Sequence, residues 1–425
     1  MVHEYPLSGK PPMMTHIFAD EHGQRIIAAK GAPEAIIACS GLTTEESRNI
    51  LSQVDTLASQ GFRVLAVAEA VPNDKPYPKE QQDFSFTYLG LIAFNDPPKA
   101  NIKEVFESFK QAGIRVNIIT GDNRATTSAI AEQVGFTIVG TPLEGEEVMR
   151  LSDTELDQAV RSINLFTRMF PDAKLRVVNA LRAQGHIVAM TGDGVNDGPA
   201  LKAAHIGIAM GKRGSELAKE AADLILLDDD LGSMVDAVAM GRKIYSNLKK
   251  AVQYIISIHI PIILTVALPL LFDWPYLNIF TPVHVIFLEL LMGPTCSIAY
   301  ENEPLEGGSM QRPPRRMDDT FLSWSELRTS LAQGIVITLG TLFCYQYGVQ
   351  QDLGEDMTRT LVFTALVTAN IALTLVNRSF QHSIITTLSY RNTLLRGIIS
   401  STVLLLLLML YVPLLRDFFH LASPS

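Results

Sequence analysis

The sequence predicts three units in series: a small α+β unit, an α/β unit on a parallel sheet, and an all-α bundle that crosses a membrane. Three observations lead there. Up to about residue 250, apolar runs of strand length alternate with amphipathic helical stretches. Beyond it, long apolar segments are separated by short polar loops. Two of the short runs, RVNIIT at 115–120 and HIVAMT at 186–191, each lead into an acidic, Gly-containing loop and then a helical stretch. Strands that alternate with helices make a parallel sheet, and ligands of such sheets bind outside the carboxyl ends of the strands, where both loops would sit.

Composition points the same way. A chain of 425 residues, 47% of them apolar, exceeds one ordinary domain, so two or three are expected, part of them in a bilayer. The 35 basic and 44 acidic residues give a net charge of −9 with no dense Lys/Arg block, which argues against a nucleic-acid partner. Cys39, Cys296 and Cys344 are widely spaced, with no C-x-x-C, and predict neither a disulfide framework nor a zinc site. The opening MVHEYPLSGKPPMM has no apolar h-region, so this end is expected in the cytosol.

Residues 1–86 hold IIAAKGAPEAIIACS and GFRVLAVAEAV, short apolar runs flanked by Gly, Pro and polar residues, around the helical TTEESRNILSQVDTLASQ. They read as a separate α+β unit. The Pro-rich PNDKPYPKE and the strand-like YLGLIAF lead out of it, which puts the boundary near residue 86 and the α/β unit at 87–245. In the remainder, 246–425, five spans at about 252–272, 281–300, 330–349, 359–376 and 394–413 each approach the roughly 20 residues that cross a hydrocarbon core. Lys249 and Lys250 precede the first span. Arg312, Arg315, Arg316 and Arg328 lie between the second and third, and Arg378, Arg391 and Arg396 between the fourth and fifth. Those loops are therefore expected on the cytoplasmic side, with the C-terminus on the other.

In MTGDGVNDGP, residues 190–199, Asp193 and Asp197 stand among Gly192, Gly194 and Gly198. Alone, this composition reads as readily as a solvated turn. Its place after a strand in an alternating pattern favours a ligand site. Taken with ITGDN at 119–123, KGAPE at 30–34, NDPPKA at 95–100 and the spans that follow, TGDGVNDGPAL resembles the P-type cation-pumping ATPases. The resemblance is to the calcium-pump-like branch and its bacterial relatives, and it runs from the middle of their nucleotide-binding domain to their ninth membrane helix.

That resemblance implies an α/β HAD-like, Rossmannoid phosphorylation domain, a partial nucleotide-binding domain before it and a transmembrane bundle after it. It also implies ATP as substrate, Mg²⁺ as cofactor, a transported cation such as calcium, and a place in a bacterial plasma membrane with the soluble domains cytoplasmic. Phosphoryl transfer needs positioning and charge neutralisation more than covalent help. Thr120 and Gly121 would hold phosphoryl oxygens through hydroxyl and backbone N–H, with Asp122 beside them among the catalytic residues, Lys174 would neutralise the oxygens, Asp193 would ligate Mg²⁺, and Asn196 and Asp197 would complete the pocket. In the nucleotide domain, Lys30, with Gly31 allowing close backbone approach, would line the adenosine pocket, Arg63 would reach the polyphosphate, and Tyr5 would stack on adenine. Each has a plainer reading: Lys30, Arg63 and Lys174 as solvated charges, Tyr5 as core.

The family's phosphorylated aspartate lies in D-K-T-G-T, and no D-K-T-G occurs here. The chain is therefore expected to be a fragment, a truncated frame or one half of a split pump that works with a complementary N-terminal half. ADLILLDDDLGSM offers a rival nucleophile, Asp228, in the apolar-run-then-D-x-D form of HAD phosphatases, but after the other motifs rather than before them. A third reading is a catalytically silent nucleotide-binding partner of another pump chain. For transport, Glu289 beside Gly293-Pro294, His259 beside Pro261, and Asn370 are the candidates, because ionisable groups within a membrane mark ion paths. Glu289 could instead be an interfacial acid and His259 a packing residue. Against calcium-pump ligands, Glu289 and His259 replace Asn, while Gly293, Ile262 and Asn370 replace carboxylates. Calcium wants six to eight oxygens, several of them anionic, and would need more from outside this set.

Overall fold

The computed structural model describes residues 1–9, 11–72, 77–316 and 318–423, without the Cys296 side chain, so part of PNDKPYPKE lies outside the described residues. The chain forms two compact units, Met1–Val235 and Asp236–Ser425.

The first unit opens with five strands: β1 His3–Ser8, β2 Met13–Ala19, β3 Arg25–Gly31, β4 Arg63–Ala70 and β5 Phe86–Phe94. They form one antiparallel sheet in chain order. Strand side chains alternate between faces, and β4 shows it: Val64, Ala66, Ala68 and Ala70 are buried, Arg63 and Glu69 exposed. Helices α1, Pro33–Ala38, and α2, Thr44–Ser59, pack on the inward face, where Met13, Ile17, Ile27, Ile36 and Phe86 make the core. A capping box starts α2: Thr43 Oγ1 accepts from the Glu46 N–H at 3.2 Å and Glu46 accepts from the Thr43 N–H at 2.8 Å. β5, expected to lead out of this unit, instead pairs with β4 from Ala70↔Phe86 to Arg63↔Phe94, so the sheet reaches Phe94, past residue 86.

The chain then continues through α3 Ile102–Gln111, β6 Ile118–Ile119, α4 Arg124–Gln133, β7 Leu143–Glu144, α5 Gly145–Arg150, α6 Asp153–Ser162 and β8 Leu165–Thr167. After these come α7 Pro171–Ala183, β9 Ala189–Gly192, α8 Gly198–Ala203, β10 Ile206–Met210, α9 Glu216–Ala221 and β11 Leu224–Leu226. The strands are parallel, as alternation with helices requires, but they make two sheets, β6-β8-β7 and β9-β10-β11. Among the described residues β6 pairs only with β8 and β9 only with β10. Each acidic loop thus leaves the carboxyl end of an edge strand. α7 serves both sheets, with Ala173 and Val177 in the core of the first and Val178 in that of the second.

The second unit is helical. Among the described residues, five helices are long and apolar enough to cross a membrane: α10 Gly232–Leu271, α11 with its continuation Pro282–Ala299, α12 Trp324–Gln350, α13 Glu355–Val376 and, after the short α14 Ile384–Leu388, α15 Thr393–Tyr411. They match the five expected spans. α10 has 40 residues, about 60 Å at 1.5 Å per residue, and runs unbroken through residue 246, so its first turns extend beyond a hydrocarbon core of about 30 Å. The helices meet through small residues and hydroxyls, as helices in lipid do. A Cβ at Gly334 would lie 2.7 Å from Ile260 Cβ, and Thr265 and Thr341 share a hydrogen bond of 2.9 Å between α10 and α12. Tyr254, Ile258, Leu288, Tyr345, Phe363 and Leu366 form the buried centre.

Candidate functional site

The strongest feature is a buried ion pair at the carboxyl end of β9. Lys174 Nζ lies 2.6 Å from Asp197 Oδ1, with 13% and 9% of the two side chains exposed. Asp197 Oδ2 accepts from the Gly194 N–H at 3.3 Å, which turns the loop back on itself. Gly192 makes room: a Cβ there would stand 2.5 Å from Asp197 Cβ. Asp193 points outward, and its carboxylate makes no hydrogen bond or ion pair among the described residues, while its backbone oxygen accepts from Ser215 N–H at 2.8 Å. Asn196 is exposed beside it.

The TGD loop connects to the same helix. Thr120 N–H donates to Phe166 O and Thr120 O accepts from Met169 N–H, both at 2.9 Å, so the loop is tied to the segment that starts α7, and Lys174 sits one turn into that helix. Thr120 Oγ1 accepts from the Asp122 N–H at 3.1 Å, and Asn123 caps α4 through Thr126 N–H at 2.9 Å. Gly121 is exposed. Beside Thr120, the buried Thr167 Oγ1 has no hydrogen-bond partner among the described residues, a polar position that the sequence does not single out because an apolar run conceals it.

Lys30 and Arg63 are exposed on the outward face of the first sheet. Lys30 registers against Val67, four residues from Arg63 and therefore on the same side. Arg63 Nε also lies 3.6 Å from Asp122 Oδ1, an open surface pair with Arg63 70% exposed. Gly31 faces inward instead of lining a pocket: a Cβ there would be 2.6 Å from Met13 Cβ, so the close approach it permits is that of β2 to β3. Tyr5 likewise takes its plainer reading. It is 8% exposed, packs edge-on against His3 and Phe84, and donates to Pro78 O at 2.6 Å, which leaves no open ring face for adenine.

Asp228 is committed to a turn. Its Oδ1 accepts from Asp230 N–H at 3.1 Å and its Oδ2 from Ser233 Oγ at 2.9 Å, and these bonds, the backbone one first, hold its carboxyl below the ordinary value. It follows β11, the strand of its sheet farthest from β9. The neighbouring Asp229, at φ 57°, accepts from the N–H groups of Lys212 and Arg213 at 2.9 and 3.0 Å. Asn101 Nδ2 donates to both oxygens of Asp230 at 2.9 and 3.0 Å, and Lys99 donates to Asp229 O, so the end of NDPPKA and the residue that follows it anchor this turn.

In the second unit, Glu289 Oε1 lies 3.3 Å from His259 Nε2, with 55% and 40% of the side chains exposed, and His259 Nδ1 is 2.8 Å from Ile255 O. Asn370 is separate and buried, its Oδ1 accepting from the Tyr254 hydroxyl. Ile262 is a core residue, and the space beside Gly293 is open.

Family comparison matches residues 19–205 to the haloacid dehalogenase-like hydrolases and residues 277–425 to the C-terminus of cation transporting ATPases. The chain is 30% identical to a calcium-transporting ATPase of Bacillus subtilis over 99% of this chain and 48% of that protein. It is 30% identical to calcium-transporting ATPase 1 of Saccharomyces cerevisiae, over 98% of this chain and 46% of the other. With calcium-transporting ATPase type 2C member 1 of Homo sapiens the identity is 31%, over 99% and 46%. The chain spans about half the length of the curated relatives it matches.

Proposed function

The chain corresponds along its length to the C-terminal portion of P-type cation-transporting ATPases, and on that premise we propose that it supplies the phosphate-handling loops and five membrane helices of an ATP-driven cation pump. The phosphorylated aspartate comes from a complementary N-terminal portion. The observation that carries this reading is the pairing of Lys174 with Asp197 in a loop at the carboxyl end of an edge strand. A parallel strand added at β6 or β9 would bring its own carboxyl end, and a nucleophile there, beside one of the acidic loops.

In this reading Asp197 fixes the position of the Lys174 ammonium, which meets the phosphoryl oxygens together with the Thr120 hydroxyl and the backbone N–H groups of the TGD loop. Asp193 fits Mg²⁺, because its hard carboxylate has no partner among the described residues, and Mg²⁺ is commonly held by one or two carboxylates plus substrate phosphate and water. When bound, the ion would offset the charge of the transferred group. Lys30 and Arg63, on one exposed sheet face, would meet ATP. The basic loops support a first unit on the cytoplasmic side of the membrane, which in this reading is a bacterial plasma membrane. Calcium is the cation moved by the named relatives, and Glu289 with His259 would be the pair that meets a cation in this reading, Asn370 being already engaged.

The test is Asp193→Asn in the complex with the complementary portion. Phosphorylation from ATP is expected to fall sharply while nucleotide affinity holds. Undiminished phosphorylation would remove Asp193 from metal binding and, with it, the phosphate-handling role of this loop.

A further inference from the structure

Apart from the sites described above, a cavity of about 540 Å³ opens among α10, the loop before α12, the first turn of α12 and the residues after α13. Five basic side chains line it against two acidic ones. Both acids are already matched: Glu306 lies 2.9 Å from Lys250 and Glu326 lies 2.6 Å from Lys249. Arg242 donates to the carbonyl oxygens of Ser309 and Arg312 at 2.6 and 2.8 Å. Arg315 donates to the Tyr245 hydroxyl and rests 4.3 Å from that ring's centroid. Arg312 makes no side-chain hydrogen bond or ion pair among the described residues. Two guanidinium groups therefore reach the cavity without a carboxylate to meet them.

Position narrows the chemistry. The cavity floor holds Lys250 and Gln253, 3% and 1% exposed, where the long apolar stretch of α10 begins. Phe380, 45% exposed, stands at its wall. The space is thus basic and lies at the boundary between the polar start and the apolar length of a membrane-crossing helix. Planar guanidinium forks pair with phosphate through parallel hydrogen bonds, and basic groups between membrane helices at this level suit anionic headgroups. The geometry points to a binding site for the phosphate of an anionic lipid headgroup, held by Arg312 and Arg315 with Lys249 and Lys250 behind them. Free phosphate has the same chemistry, but the boundary position favours the lipid. The inference needs only that α10 crosses a bilayer and stands apart from ATP chemistry.

The full chain in phosphatidylcholine nanodiscs, with or without phosphatidic acid, and then released for native mass spectrometry, tests this. The wild-type chain is expected to retain phosphatidic acid over phosphatidylcholine, and Arg312→Gln with Arg315→Gln to lower that retention about tenfold or more. The charge-keeping Arg312→Lys with Arg315→Lys should fall between the two, since it keeps the charge and loses the guanidinium fork, and Arg391→Gln, in another exposed loop, should keep all of the retention. Inorganic phosphate that binds in phosphatidylcholine alone, and is lost in the Gln pair, would uphold the phosphate site and identify a soluble source. No preference for phosphatidic acid together with no phosphate binding, or equal retention by a monodisperse Gln pair, would overturn the site.

Discussion

Arg378 grips Glu303 with two parallel hydrogen bonds, Nε to Oε1 at 2.9 Å and Nη2 to Oε2 at 3.3 Å, with 4% and 1% of the side chains exposed. Asn392 Nδ2 adds a bond to Oε1 at 2.8 Å, and Asn247 Nδ2 donates to the Glu303 backbone oxygen at 2.8 Å. One residue thereby joins α10, the segment after α11, the end of α13 and the start of α15. A buried pair of this kind is expensive to break from one side only. Arg378→Met should cost about 3–5 kcal/mol, and Arg378→Met with Glu303→Leu should recover most of it. Thermal loss of monodisperse protein in detergent reads both, and a double variant as weak as the single would place the damage elsewhere.

Gly192→Ala probes the phosphate loop without touching a charge. The added methyl would press on Asp197 Cβ, 2.5 Å away, and push the carboxylate off Lys174. Phosphorylation in the complete pump should drop about as far as with Lys174→Met, with Asp193 still in place. Wild-type phosphorylation in the alanine variant would mean that the Lys174–Asp197 contact does not position the lysine.

Asp228→Asn separates a turn from a nucleophile. Its folded carboxyl lies below the ordinary value, held by the Asp230 N–H and then by the Ser233 hydroxyl. The stabilisation it gives is therefore present above the unfolded value of 3.8 and is lost as pH falls through the lower folded one. Local proteolysis at residues 228–233 should be flat from about pH 5 to 8 in the wild type, and the variant should leave phosphate chemistry unchanged. Loss of a phosphatase activity in the variant would revive Asp228 as a nucleophile.

Much of this was legible in the sequence, and the failures have physical causes. The five spans followed from length and hydropathy, which fix a membrane helix without knowledge of its neighbours. Lys174 and Asp197 were singled out separately through motifs, but nothing in the sequence showed that they pair, since 23 residues separate the two. Tyr5 and Gly31 were misplaced because a strand's period shows which residues share a face, not which face is covered. The break between β6 and β9 was hidden because alternating strands and helices predict parallel pairing but not which strands are neighbours. Glu303 and Arg378 gave no signal: 75 residues apart, in two polar loops, each reads as a solvated charge.

Glu289→Gln addresses the transport path. Glu289 lies within an apolar helix beside His259, and a carboxylate at such a depth costs a few kcal/mol or more on insertion scales. In a reconstituted pump the variant should insert normally and lose most cation-stimulated ATP hydrolysis. Unchanged cation affinity would move the site away from this pair.

The central claim is that residues 1–425 hold the phosphate-handling loops and that the phosphorylated aspartate lies outside them. Labelled ATP, followed by acid quenching and gel separation, measures it most directly. The chain alone should form no acid-stable phosphoenzyme, and in complex with the complementary portion the label should appear on that portion and depend on Asp193 and Lys174. Label on this chain, abolished by Asp228→Asn, would contradict the account.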